Sequence, residues 1–198
     1  MGDHSPMNPG ENPMHPRLAS FAAVMLLAPS VAAAQFAPYA GPLPSVPYVA
    51  TAEPIVEKML EMAKVTDKDV VYDLGCGDGR IVITAAKRYG ARGVGIDNNP
   101  ARIWEANQNS VRANVTDKVK FVDGDLFRAN FSEATVVTLY LLPEVNLALR
   151  PKLWRDLPVG ARVVSHNYHM GDEWPPERTE QVGGGIVYAW TIQTKHKK

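Results

Sequence analysis

The feature that most constrains the fold is a short apolar run that passes directly into a glycine-rich loop. Val70–Leu74 contains one charged side chain, Asp73, and is followed at once by Gly75, Gly77 and Gly79. An apolar run of this length bounded by glycine is typical of a buried strand. The alternate glycines allow positive φ angles and a close approach of a ligand to the backbone. The sequence therefore predicts a strand, a ligand-binding loop and a helix in succession.

Further apolar runs alternate with helical patterns along the chain. The other predicted strands are 93–97, 119–122, 134–142 and 161–166, and the predicted helices are 53–65, 79–89, 100–113 and 143–150, the last broken by Pro151. This alternation predicts βαβ units and a parallel sheet. Two runs around three glycines, 178–182 and 186–194, predict an antiparallel hairpin. The expected fold is α/β, with a doubly wound, mostly parallel, seven-stranded, Rossmann-like sheet that ends in the C-terminal hairpin.

The first fifty residues differ in composition from the rest of the chain. Arg17 precedes an apolar stretch that ends in an A-x-A pattern before Gln35, so residues 14–34 predict an export signal or an uncleaved membrane anchor. An extension with neither role stays open. Four prolines over 35–50 favour an extended linker. The expected organisation is an extension over 1–34, a linker over 35–50, a folded domain over 51–194 and a charged tail over 195–198. The expected localisation is exported or membrane-anchored, with cytoplasmic as the alternative.

Charge and cysteine content argue against several classes of function. The 21 Lys and Arg residues balance 21 Asp and Glu residues, so overall charge gives no affinity for nucleic acid. The single cysteine, Cys76, excludes an intramolecular disulfide and multi-cysteine metal sites. The histidines lack the spacing of metal ligands, so no metal is expected.

Acidic side chains lie at the carboxyl ends of the predicted strands, where open α/β sheets bind ligands. Asp73 belongs to the first strand, Asp97 ends the second and Asp125 follows the third. Asp73 and Asp78 would repel the pyrophosphate of a dinucleotide, and the third glycine of the loop comes one residue earlier than in the dinucleotide-binding pattern. A ligand with an ammonium or sulfonium group is favoured instead. S-adenosylmethionine carries both groups and no phosphate.

Two of these acids have an expected place against that ligand, and each also has a local alternative. Asp97 can accept hydrogen bonds from both ribose hydroxyls, or it can cap the next helix. Asp125 is placed to meet the adenine amino group, or it can cap a loop. Tyr140 and Trp190 are expected in the core, and His166 is expected as a hydrogen-bonded residue near the ligand.

These motifs resemble those of a known family. Residues 73–79, with an acid at the end of the second strand, resemble the cofactor loop of class I S-adenosylmethionine-dependent methyltransferases. Further segments are similar to the lysine N-methyltransferase family that modifies the ATP synthase c subunit and the adenine nucleotide translocase, including its bacterial relatives. These segments are 48–51, 70–80, 125–127, 138–146, 162–166 and 188–190. The resemblance covers about residues 48–192.

The resemblance implies a protein-lysine N-methyltransferase that uses S-adenosyl-L-methionine, and we expect a monomer. Its partner would be a protein with an acceptor lysine, such as a membrane protein. The neutral charge and the lack of an Asn-Pro-Pro-Tyr-type motif weigh against a nucleic-acid partner. The implied cofactor-binding residues are Tyr48, Thr51, Asp73, Gly75, Gly77, Gly79, Asp97, Asn98, Asp125 and Leu126. Leu142, Pro143 and Asn146 are candidates to line the substrate pocket, and Asn146 could equally be structural. A cofactor-binding domain without turnover and a small-molecule methyltransferase are the alternatives.

Overall fold

The computed structural model describes residues 1–2 and 48–197, and residues 48–197 contain all of its helices and strands. The helices are α1 (Glu53–Met62), α2 (Arg80–Tyr89), α3 (Pro100–Ala113) and α4 (Pro143–Asp156), followed by a 3₁₀ turn at Thr194–Lys197. The strands are β1 (Val70–Leu74), β2 (Arg92–Asp97), β3 (Val119–Asp123), β4 (Val136–Leu139), β5 (Arg162–His166), β6 (Arg178–Val182) and β7 (Gly185–Thr191). The expectations for 14–34 and for most of 35–50 lie outside the described residues.

The strands form a seven-stranded sheet in the order β3-β2-β1-β4-β5-β7-β6. The pairs from β3 to β5 are parallel, whereas β7 is antiparallel to both β5 and β6. The chain order reverses at β1, so this strand has β2 on one side and β4 on the other. The predicted fold is therefore confirmed, including the antiparallel C-terminal hairpin.

The alternation of side chains along β1 shows how the sheet separates two apolar layers. Val70, Tyr72 and Leu74 pack into the layer that contains α4, whereas Val71 packs into the layer that contains α1 and α2. This period of two is the expected geometry of a strand that is buried on both faces. Trp190 on β7 is buried in the α4 layer, which confirms the core prediction for this residue.

Several predicted element boundaries were wrong: α1 ends three residues earlier than predicted, at Met62, and β7 ends at Thr191 instead of Thr194. The other two errors concern the segment around α4. The fourth strand ends at Leu139, and residues 140–142 leave the sheet before Pro143 opens α4. The helix then continues through Pro151 to Asp156. Proline removes the hydrogen bond to the carbonyl four residues earlier. Here that carbonyl belongs to Leu147, whose side chain lies on an exposed face of the helix, so water can replace the missing donor.

A polar network ties the sheet together at its amino edge. The Arg162 guanidinium forms an ion pair with Asp69 and donates to the carbonyl oxygen of Ala63 at 2.8 Å. The Thr135 hydroxyl donates to the same Asp69 carboxylate at 2.6 Å. The network therefore joins the end of α1 to the starts of β1, β4 and β5.

Among the described residues, no helix has the length and apolar composition needed to cross a bilayer.

Candidate functional site

A cavity of about 600 Å³ opens at the carboxyl edge of the sheet, where the strand order reverses. This volume lies within the usual range of small-molecule sites, and the position is where open α/β sheets bind ligands. Eight of the sequence-predicted site residues line it. They are Tyr48, Thr51, Asp73, Gly75, Asp97, Asn98, Leu126 and Leu142.

The glycine loop is fixed by its contacts with β2. The backbone N–H groups of Gly75 and Cys76 donate to the carbonyl oxygen of Ile96, and the N–H of Gly77 donates to Asp97 Oδ2 at 2.8 Å. Gly77 has a φ of +51°, and a Cβ atom there would lie 2.2 Å from the Tyr48 ring. Gly77 does not line the cavity, so its contribution is to let the loop and the Tyr48 ring approach each other.

Asp73 places a buried carboxyl group at the floor of the cavity. Its side chain is 2% exposed and accepts a hydrogen bond from Thr138 Oγ1 at 2.7 Å. Burial raises its pKa to about 7, and the negative charges of Asp97 and Asp78 contribute to the rise. No cation among the described residues forms an ion pair with this carboxyl group. A positively charged ligand group would therefore be bound favourably beside it.

Asp78, the second acid of the loop, is already neutralised within the chain. Arg80 binds its carboxylate through Nε at 3.0 Å and Nη2 at 2.6 Å. Burial opposes ionisation, but the hydrogen bonds and charge of Arg80 lower the pKa of Asp78. Arg80 Nη1 also donates to the carbonyl oxygen of Thr51 at 2.8 Å. The preference for a cation therefore comes from Asp73, while Asp78 and Arg80 attach the segment before α1 to the loop.

The residues before α1 cover one side of the cavity. The Tyr48 ring contacts the loop at Gly77, and the guanidinium carbon of Arg102 lies 4.6 Å from the centroid of that ring. Burial and the negative charge of Asp78 raise the pKa of Tyr48 to about 12, so its hydroxyl is neutral at physiological pH. Sequence reasoning missed Arg102, because only the contact between α3 and this segment brings it to the cavity.

Five predicted site residues do not line the cavity. Gly77 and Gly79 lie in the loop behind its surface, and Asp125 is exposed and accepts a hydrogen bond from the N–H of Phe127. Pro143 is exposed at the start of α4, whereas Asn146 is completely buried. The predicted ligand contacts of these residues stay predictions, and the placement of Asn146 favours its structural alternative.

Two tyrosines that were not predicted as site residues also line the cavity. Tyr140 follows β4, and Tyr168 lies two residues beyond β5. Tyr140 was expected in the core because the apolar run 134–142 predicts one long strand. The strand ends before Tyr140, and the half-buried ring faces the cavity instead. The described residues contain no cluster of three or more side chains suited to a metal ion.

Comparison with known proteins gives consistent results for the sequence. Residues 73–178 match the family described as the ANTKMT methyltransferase domain. The chain is 49% identical over 155 residues to a protein-lysine N-methyltransferase of Saccharolobus islandicus (strain REY15A), covering 76% of this chain and 96% of that protein. It is 32% identical over 148 residues to the lysine N-methyltransferase of the ATP synthase c subunit from Homo sapiens, covering 75% of this chain. The chain spans 62% of the length of that human relative.

A solved structure also matches this chain. An RNA methyltransferase from Salinibacter ruber, in complex with S-adenosyl-L-homocysteine, is 55% identical and superposes with a TM-score of 0.72. The match covers 74% of this chain and 95% of the other.

Proposed function

Because the chain belongs to the family of the ANTKMT methyltransferase domain and is an S-adenosylmethionine-dependent methyltransferase, we propose that it methylates lysine side chains of proteins. The observation that carries this proposal is the 49% identity to the Saccharolobus protein-lysine N-methyltransferase, which extends over 96% of that protein. The human relative, which is named for a lysine of the ATP synthase c subunit, supports the same acceptor chemistry.

The cavity fits the chemistry of this cofactor. The buried Asp73 carboxyl group lies where it can pair with the ammonium of the methionine part, and Gly75 leaves room that a Cβ atom would fill, 2.7 Å from Leu141. In this proposal Asp97 accepts hydrogen bonds from the ribose, and Asn98 and Leu126, which line the same cavity, are further cofactor contacts. Asp125 does not line the cavity, so its contact with the adenine amino group stays a prediction. Tyr48 and Thr51 cover the cofactor from the side of α1.

S-adenosylmethionine supplies a methyl group on a sulfonium sulfur, so the protein must chiefly align and desolvate the acceptor. Methyl transfer is an in-line displacement by a neutral amine. Leu141, Leu142 and Val145 make the adjoining part of the cavity apolar. An apolar surrounding favours the neutral form of a lysine amine, which is the form that can attack.

Methyl transfer into cell extracts tests the proposed acceptor directly. Purified protein is incubated with radiolabelled S-adenosylmethionine and with separate membrane and soluble fractions, and Asp73→Ala serves as the control. We expect label in a protein band, and mass spectrometry should place it on the side-chain nitrogen of lysine. Label on another residue type, or protein without label while a small molecule is labelled, would contradict the proposal.

RNA is the second candidate acceptor, because the Salinibacter protein at 55% identity is described as an RNA methyltransferase. The zero net charge weighs against it. The same reactions separate the two acceptors. Label that survives ribonuclease and is lost with protease supports a protein acceptor, and the reverse result supports RNA.

The localisation and assembly form part of the same proposal. The apolar segment 14–34 exports or anchors the domain, and an anchor with the domain facing the cytosol agrees best with a cofactor that is made there. A membrane protein is then an accessible substrate. Mass spectrometry of the mature N-terminus tests the segment, since a start at Gln35 means cleavage. Light scattering during gel filtration tests whether the protein is a monomer.

A further inference from the structure

Two tyrosine rings form one wall of the cavity. Tyr140 and Tyr168 both line it, their ring centroids lie 6.4 Å apart, and their planes differ by 17°. This separation is within the range of offset aromatic pairs. The two residues come from the ends of adjacent strands, β4 and β5. We call this pair the tyrosine wall.

The order of the strands places the tyrosine wall on the acceptor side of the cavity. β2, which carries Asp97, lies on one side of β1, whereas β4 and β5 lie on the other. Asp73, near the end of β1, is between them. If Asp97 binds the ribose and Asp73 the methionine ammonium, the acceptor approaches from the side of β4. The tyrosine wall then lies along its path.

The ring of Tyr140 packs against a buried histidine, His166. The ring centroids of Tyr140 and His166 lie 4.0 Å apart, and His166 Nδ1 lies 3.4 Å from Thr51 Oγ1. Burial lowers the pKa of His166, so its imidazole is uncharged at neutral pH. No positive charge on this ring therefore opposes the binding of a cation to the tyrosine wall.

Tyr168 is held by its backbone. Asn167 adopts a positive φ of 63°, and its side-chain Oδ1 accepts a hydrogen bond from the N–H of Ile186 at 3.0 Å. The carbonyl oxygen of Tyr168 accepts a hydrogen bond from Asn146 Nδ2 at 3.1 Å. The fully buried Asn146 thus connects α4 to the backbone of Tyr168.

We propose that Tyr140 and Tyr168 bind the acceptor lysine through their ring faces, an inference that rests on the proposed lysine methylation. Lysine arrives as an ammonium, and aromatic faces attract ammonium groups within about 6 Å of the ring centroid. The ammonium loses one proton to water before transfer. The nitrogen lone pair then forms the N–C bond while the S–C bond breaks and its electron pair stays on sulfur. Methylated lysine becomes cationic again, so the same rings bind it.

The experiment separates the ring faces from the hydroxyl groups. Tyr140 and Tyr168 are each replaced by Phe and, separately, by Leu. The control is Tyr89→Leu, which removes a half-buried tyrosine of α2 that does not line the cavity. Methyl transfer to the labelled acceptor protein is measured with two inhibitors. One is the acetylated amide of trimethyllysine, and the other is its uncharged tert-butyl analogue.

We expect the wild type, the Phe variants and Tyr89→Leu to be inhibited about 3- to 30-fold more strongly by the charged compound. The Leu variants should lose this preference, and their KM for the acceptor should rise by a similar factor. Their affinity for S-adenosylmethionine should stay within about twofold of the wild-type value, because the change lies on the acceptor side.

Each alternative result has a definite meaning. Leu variants that keep both the preference for the charged inhibitor and the wild-type KM for the acceptor would refute the role of the tyrosine wall. They would leave the proposed lysine methylation intact. If the Phe variants lose the preference for the charged inhibitor as fully as the Leu variants do, the preference depends on the hydroxyl groups. That result would also refute binding by the ring faces. If the wild type forms no methyl-lysine, the proposed function is refuted, and the role of the tyrosine wall with it.

Discussion

Asp73→Asn should remove a loss of stability that the cofactor-free wild type undergoes as the pH rises, and it should weaken the binding of S-adenosylmethionine. Burial raises the pKa of Asp73 from 3.8 to about 7 in the folded protein. The folded state therefore holds the proton more tightly than the unfolded chain. Stability from this group is fully present below pH 3.8 and is lost as the pH rises to about 7. Asparagine cannot ionise, so the variant lacks this loss.

The magnitude follows from linkage. A rise of the pKa from 3.8 to about 7 corresponds to about 4 kcal/mol, since each pH unit is worth about 1.36 kcal/mol. About 2.7 kcal/mol of this falls between pH 5 and pH 8.5, because aspartate in the unfolded chain is already mostly ionised at pH 5. Relaxation of the loop around the carboxylate offsets part of this loss of stability. We therefore expect the variant to gain about 2 kcal/mol on the wild type over that interval.

Urea unfolding of both proteins at a series of pH values measures the effect. Any difference in fit between the amide and the neutral acid is the same at every pH, so the prediction concerns only the change with pH. Asp117→Asn, at an exposed position before β3, is the matched control and should follow the wild type. Parallel stability curves for the wild type and Asp73→Asn from pH 5 to pH 8.5 would refute the reasoning.

The cofactor provides the second half of this test. At pH 8.5 a ligand that binds only the folded state stabilises it by mass action. Saturating S-adenosylmethionine should raise the unfolding midpoint of the wild type, because its ammonium pairs with the ionised carboxylate. The shift should be much smaller for Asp73→Asn at the same cofactor concentration. An equal shift in both proteins would show that the ammonium does not bind at Asp73.

Three further substitutions test other parts of the site and the fold. Asp97→Ala should weaken S-adenosylmethionine binding by about 1.5–3 kcal/mol in calorimetry; unchanged affinity would refute the ribose contact. Gly77→Ala adds a Cβ atom 2.2 Å from the Tyr48 ring at a φ of +51°. The affinity for S-adenosylmethionine should therefore fall at least about tenfold, by roughly 1.4 kcal/mol. Adding Tyr48→Ala to the same chain should restore part of this affinity. Asp69→Ala removes the carboxylate that pairs with Arg162 and should lower the free energy of unfolding by about 3 kcal/mol in urea, with cofactor affinity unchanged.

The parts of the fold that the sequence predicts are those that depend on local periodicity. β1 was predicted from five apolar-patterned residues before glycine, and α3 from Pro100 and a polar residue before it; Asn99 indeed accepts a hydrogen bond from the N–H of Ala101. The end of β4 was missed, because residues 140–142 are as apolar as the strand before them. Hydropathy cannot distinguish an apolar side chain in a sheet from one that lines a cavity.

The candidate site was predictable to the extent that topology brings strand ends together. Asp73 and Asp97 belong to adjacent parallel strands, so their convergence needs no tertiary information. The hydrogen bond from Arg80 to the carbonyl of Thr51 joins positions 29 residues apart. The pairing of Tyr140 with Tyr168 likewise depends on the packing of two separate loops. Such contacts leave no periodic signal in the sequence.

Asp69 and Asp73 lie at opposite ends of β1 and show how one strand serves both stability and binding. Burial opposes the ionisation of Asp69, but hydrogen bonds from Thr135 and Arg162 lower its pKa. Asp73 is also buried, but it has one hydroxyl donor and no ion pair within the described part of the chain, and its pKa rises. An arginine that stabilised Asp73 in the free protein would also occupy the place of the ligand's ammonium. A carboxyl group that binds a cationic ligand at this position must therefore destabilise the free protein, and the bound cation removes that cost.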